Sequence, residues 1–163
     1  SHFIEHMMFK GTRNYSARDI AEVMDKRGGY LNAFTGKEQT CYYFKVLDEH
    51  YGTASELLQQ MLLYSLFSPA DVAKEKNVVL EELRMYEDSP EELVHDLFAN
   101  ILWPEDPLGR NIIGSHETIS GFTPEMIREY MKKHYTGDRL VIASAGNISH
   151  KQVVDTFGAA FDF

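Results

Sequence analysis

Near the start of the chain an apolar run, Phe3, Ile4, Met7, Met8 and Phe9, is interrupted by three ionisable side chains, His2, Glu5 and His6. The apolar spacing is that of a short helix, over 2–9, pressed against a core and stopped by Lys10-Gly11-Thr12. On a helix, residues i, i+3 and i+4 share a face, so His2, Glu5 and His6 converge. Three polar groups on a buried helix are costly unless they are paired or hold an ion. The rest of the chain must therefore bring to this face whatever satisfies them. Two neutral imidazoles bind a divalent metal from one helix face, and a glutamate just before the second is placed to hold a water beside it. The order is HxxEH, the reverse of the commoner HExxH.

A further, preferably anionic, ligand is required, and a charged helix expected over 70–88 offers Glu75 and Glu82. They are seven residues apart, two turns, on a stripe shared with Val78 and Met85, while Val72, Val79, Leu83 and Tyr86 form an opposite core stripe. Glu81 competes with Glu82 but lies about 100° round the helix.

The remaining punctuation predicts a small α+β layer. Ser16 caps a second helix that Gly28-Gly29 ends, with Ile20, Val23 and Met24 inward. Two aromatic and β-branched runs, 30–35 and 40–46, flank Gly36-Lys37-Glu38-Gln39 as a hairpin, with Tyr42, Tyr43, Phe44 and Cys41 read as core. An apolar helix follows over about 51–67, buried against the sheet, and Ser89-Pro90 opens one that runs to about Leu102. A loop over 103–110, a helix opened by Thr123-Pro124, a buried strand from Leu140 to Ala145 and a last helix from Ser149 complete the chain. The fold expected is α+β, a mainly antiparallel sheet covered on one face by helices, within a single domain over 1–163.

Composition narrows the partners. A net charge of −9, dispersed along the chain, argues against nucleic acid. One cysteine rules out an intrachain disulfide, and no apolar run approaches the ~20 residues of a membrane span. No basic segment followed by an apolar stretch marks the first residues as a signal peptide. His50, His95, His116, His134 and His150 lack ligand spacing and read as surface or satisfied histidines.

Four segments carry a family resemblance: His2–Thr12, Leu31-Asn32-Ala33-Phe34-Thr35, Glu75–Glu82 and Pro107-Leu108-Gly109-Arg110. On these the chain resembles the pitrilysin and insulin-degrading group of inverted-zincin metallopeptidases, most closely the bacterial processing peptidases and the catalytic subunit of mitochondrial processing peptidase. The resemblance implies a processing-peptidase or LuxS-like metallohydrolase domain and a zinc-dependent endopeptidase. Glu82, 76 positions after His6, falls where the family's third ligand is expected. By that resemblance His2, His6 and Glu82 ligate Zn2+, Glu5 is the general base, and Glu75 orients a ligand. It further implies a peptide substrate added as a strand along Asn32, Ala33, Phe34 and Thr35. It also implies a second homologous half, in the same chain or another subunit, and a missing strand before His2, so that this sequence is an N-terminal-half fragment. The Leu31–Val46 wording is nearer the bacterial branch and implies the bacterial cytoplasm, with the mitochondrial matrix as the alternative. Two rival readings stand beside it. A non-catalytic subunit of the same fold would be favoured by a lost ligand, and none is lost. S-ribosylhomocysteine lyases share HxxEH but use a downstream cysteine, whereas Cys41 lies in the hairpin.

Overall fold

The first helix, α1 (His2–Met8), buries Phe3, Ile4, Met7 and Met8. Gly11, at φ +129°, turns the chain away from it. That turn is fixed on both sides: the Leu66 N–H donates to Gly11 O at 3.1 Å, and the Thr12 N–H to Tyr15 O at 2.8 Å. Ser16 and Asp19 form a reciprocal capping box at the start of α2 (Ala17–Asp25), whose Ile20 and Met24 point inward. Left-handed Gly28 then leads into the hairpin.

The computed structural model describes residues 1–161, and among these the only sheet is the antiparallel pair β1 (Tyr30–Thr35) and β2 (Thr40–Lys45). Its register runs from Tyr30 opposite Lys45 to Thr35 opposite Thr40. Five further helices follow: α3 (Tyr51–Tyr64), α4 (Pro69–Glu87), α5 (Pro90–Leu102), α6 (His116–Gly121) and α7 (Pro124–His134). The last is α8 (His150–Phe161). Ser68, Ser115 and Thr123 cap α4, α6 and α7 through their side-chain oxygens. None of the described helices is long and apolar enough to cross a membrane.

The core is one cluster. Met7 and Met8 of α1, Leu57 and Met61 of α3, Val79 of α4 and Ile119 of α6 are almost wholly buried and belong to it together. The α1 helix lies against both β1 and α4. That placement sets the hairpin on one side of the α1 polar face and the α4 glutamates on the other.

Several expectations are corrected. Leu140–Ala145 pairs with no strand, and Val141 is 89% exposed. A strand requires a neighbour's backbone, and among the described residues none is beside it. Tyr43 lies on the outer face of the hairpin with Tyr30 and Phe34, because side chains alternate along β2 and Tyr42 and Phe44 take the inner positions. The third helix stops at Tyr64, and Ser65 turns extended to bridge Thr12, which leaves Leu66 exposed. The α3 helix also packs along α8, and its Leu57 and Met61 share the core cluster against which Leu31, Tyr42 and Phe44 of the hairpin pack. Finally, Glu75 is not opposite the core stripe: it is buried with Val72, Val79 and Leu83, whereas Val78 and Met85 face outward.

Candidate metal centre

The two histidine rings meet edge to face on one side of α1, with centroids 4.6 Å apart and planes at 62°. Glu82 reaches them from α4, with Oε1 3.5 Å from His2 Nε2 and Oε2 3.4 Å from His6 Nε2. One potential ligand atom from each of the three residues lies within 4.8 Å of the other two. Those N···O separations exceed a good hydrogen bond, about 2.7–3.2 Å. They equal the spacing of neighbouring ligands on a tetrahedral zinc, where bonds of about 2.0–2.2 Å place ligand atoms roughly 3.3–3.6 Å apart. Two imidazoles and a carboxylate at this spacing fit a divalent zinc ion. Burial holds the His2 imidazole below its ordinary pKa, and the neighbouring His6 adds to this while Glu82 opposes it. A depressed pKa keeps the ring neutral, as a ligand must be.

The two rings are supported differently. His6 Nδ1 is 2.9 Å from Glu75 Oε1, while the other oxygen of Glu75 is 2.6 Å from the Lys10 ammonium. His2 Nδ1 is buried with no hydrogen-bond partner among the described residues. Orientation of the pair thus depends on the Glu75 side. Glu81, the competitor for Glu82, is exposed and pairs with Arg84.

Glu5 is held from the hairpin. The Thr35 hydroxyl, at the end of β1, donates to Glu5 Oε2 and lies 3.4 Å from the Thr40 hydroxyl. Within β1, Thr35 and Ala33 face inward while Asn32 and Phe34 face outward; Asn32 bonds to the Tyr30 hydroxyl and to the Ala33 N–H. Of the four strand residues singled out in the sequence, Thr35 is the one whose side chain is bonded to a site residue. The edge of β1 away from β2 carries no ladder among the described residues.

Two groups near the site escaped the sequence reading. Lys10 carried a usable signal, its i+4 spacing from His6. Tyr135 carried none. Its hydroxyl is 3.4 Å from that of Tyr42, and burial pushes both phenols above the usual tyrosine range, with the Glu5 carboxylate adding to the shift. In the unfolded chain these tyrosines lose protons above about pH 10, whereas in the fold they keep them. Stability from this pair is therefore intact below pH 10 and is lost as pH rises beyond it. Denaturant midpoints at pH 9 and pH 11 should show that loss, and Tyr42→Phe should reduce it; an equal loss in the variant would remove Tyr42 as its source.

Comparison with known proteins follows the same outline. Residues 1–116 match the family described as insulinase (Peptidase family M16), and residues 121–162 match the Peptidase M16 inactive domain. An uncharacterized zinc protease of Bacillus subtilis, YmxG, is 51% identical over 155 residues, which are 95% of this chain and 38% of the relative. An uncharacterized zinc protease of Streptomyces coelicolor is 44% identical over 162 residues, 99% of this chain and 35% of the relative. The chain thus spans little more than a third of the length of these relatives. Among solved structures, a protease from Helicobacter pylori superposes with a TM-score of 0.92 at 23% identity, over 99% of this chain and 39% of that one. Pitrilysin gives 0.83 at 22% identity, over 99% of this chain and 18% of its own. At such identities the superpositions establish the fold.

Proposed function

The chain belongs to the insulinase family of M16 peptidases, and from that premise we propose that it is the zinc-binding catalytic half of a metalloendopeptidase. The observation that carries the proposal is the pair of His–Glu82 separations, too long for hydrogen bonds and right for ligands of one ion. His2, His6 and Glu82 would hold the zinc. When bound there, zinc supplies Lewis acidity, which brings the pKa of a water to ~7 and polarises a peptide carbonyl.

The other steps fall to the chain's own residues. Glu5 takes the proton of the attacking water and passes it to the leaving amine. Thr35, by donating to Glu5 Oε2, fixes that carboxylate and leaves Oε1 to handle the proton. Glu75 accepts from His6 Nδ1, which directs His6 Nε2 towards Glu82. The peptide lies extended along the unpaired edge of β1, where main-chain hydrogen bonds hold it whatever its sequence. A second half, as the greater length of the relatives supports, closes over it.

The match to an inactive domain does not favour a non-catalytic reading, because it covers 121–162 and every site residue lies within 1–116. Cys41 is absent from the grouped ligand atoms, which weighs against lyase chemistry. Elemental analysis of the purified chain should find about one zinc per chain, lost in His6→Ala and in Glu82→Gln. Zinc retained in Glu82→Gln would remove it from the ligand set.

A further inference from the structure

Glu75 is 3% exposed, and among the described residues its two oxygens meet an imidazole and an ammonium. A buried carboxylate is stable only when both oxygens are engaged, and losing one charged partner costs far more than losing an exposed ion pair. The ammonium is that of Lys10, whose side chain is 36% exposed and so closes the solvent side of Glu75.

We infer that Lys10 is a positioning residue of the zinc site, acting through Glu75 and His6; this rests on the zinc reading above. Three features carry it. The first is geometric: Lys10 takes Glu75 Oε2 at 2.6 Å, which commits Oε1 to His6 Nδ1 and so fixes which His6 nitrogen faces Glu82. The second is preorganisation. The Lys10 N–H donates to Met7 O at 3.1 Å, and the left-handed Gly11 that follows is pinned by Leu66, so the base of the lysine stem does not have to be ordered when metal binds. The third is charge. Glu5, Glu75 and Glu82 bring three negative charges to one region, and a divalent ion with one lysine balances them. Among the described residues, Lys10 is the one lysine or arginine in an ion pair with any of the three. Arg84, on the same helix, is turned outward to Glu81. Without Lys10 the Glu75 carboxylate is free to swing towards solvent, and His6 loses the orientation that His2 never had.

The test is zinc affinity by competition with a chromophoric chelator, on the chain itself, for wild type, Lys10→Met, Lys10→Arg and Glu75→Gln. Lys10→Met keeps the stem and removes the charge, and should weaken zinc binding about 10–100-fold, the usual cost of losing support behind a ligand. Lys10→Arg keeps a cation and should bind closer to wild type than Lys10→Met. In the Glu75→Gln background, Lys10→Met should add little, because the lysine acts through that carboxylate. Cobalt substitution reports the same site: its visible absorption should change in Lys10→Met. Unchanged zinc affinity in Lys10→Met, equal losses in the Met and Arg variants, or a full further loss in the double variant would each overturn the role of Lys10. Absence of zinc binding by the wild-type chain would instead overturn the zinc reading itself. Thermal melting of the metal-free variants separates a folding defect, which shifts the melt, from a positioning effect, which shifts the affinity.

Discussion

Glu5→Gln is expected to keep about one zinc per chain while lowering kcat/KM for peptide hydrolysis by about 10²–10⁴-fold, the range for loss of a positioned general base. Glutamine is nearly the same size, and its amide oxygen still accepts the hydrogen bond from the Thr35 hydroxyl that holds Glu5 Oε2. The change therefore removes proton transfer and leaves the local packing in place. Zinc is held by His2, His6 and Glu82 in the proposed site, so its affinity should be nearly unaffected. The measurement belongs on the chain joined to the second half proposed above, with an internally quenched peptide and parallel metal analysis. Activity within a few-fold of wild type would assign the proton transfer elsewhere, and loss of zinc would make the effect one of structure rather than chemistry. Thr35→Val should fall between the two, losing about tenfold, because one hydrogen bond to a charged group is removed while the base remains.

Much of this site is legible in the sequence because helices impose a local rule. The i, i+3, i+4 spacing of His2, Glu5 and His6 sets a shared face whatever the tertiary structure. The seven-residue spacing of Glu75 and Glu82 likewise puts them on one stripe of α4. Periodicity does not say how far along the stripe a neighbour covers it. Glu75 lies where α1 crosses and is 3% exposed, while the Glu82 side chain, two turns on, is 41% exposed. The stripe is the same, yet the first carboxylate is enclosed and the second reaches the open rim of the histidine pair. Lys10 is four residues past His6, a spacing the sequence shows, but it lies beyond the end of α1, so helix periodicity alone does not bring its ammonium to Glu75. The hairpin was readable from its composition, but the inward and outward assignment of Tyr42 and Tyr43 depends on a register that composition does not set. Leu140–Ala145 has the residues of a strand and no strand beside it, since β propensity describes a surface to be packed rather than the neighbour that packs it. The six-residue α6 is too short to show a stripe and is marked by its Ser115 cap instead.

Met7→Ala should cost about 2–5 kcal/mol in denaturant unfolding of the metal-free chain, as expected for truncating a buried methionine. Met7 is 1% exposed and its neighbour Met8 is fully enclosed, and both belong to the central cluster. Met126→Ala, at a site 48% exposed, is the control and should stay within about 0.5 kcal/mol. A Met7 loss no larger than that of Met126 would contradict the core placement. The consequence for the metal follows from the length of the helix. Seven residues are too few to hold a helix by propensity alone, so α1 exists, and points as it does, because its apolar side is buried. That same burial sets where His2 and His6 stand relative to Glu82. Loosening it should weaken zinc binding although Met7 touches no ligand. The linkage also runs the other way: zinc that binds only the folded chain stabilises it by about 2.7 kcal/mol at one hundred times its dissociation constant. Saturating zinc should therefore recover part of the Met7→Ala loss and none of the loss when Glu82→Gln is added. Metal and core then act on one short helix from its two sides, and each holds it in the orientation that the other requires.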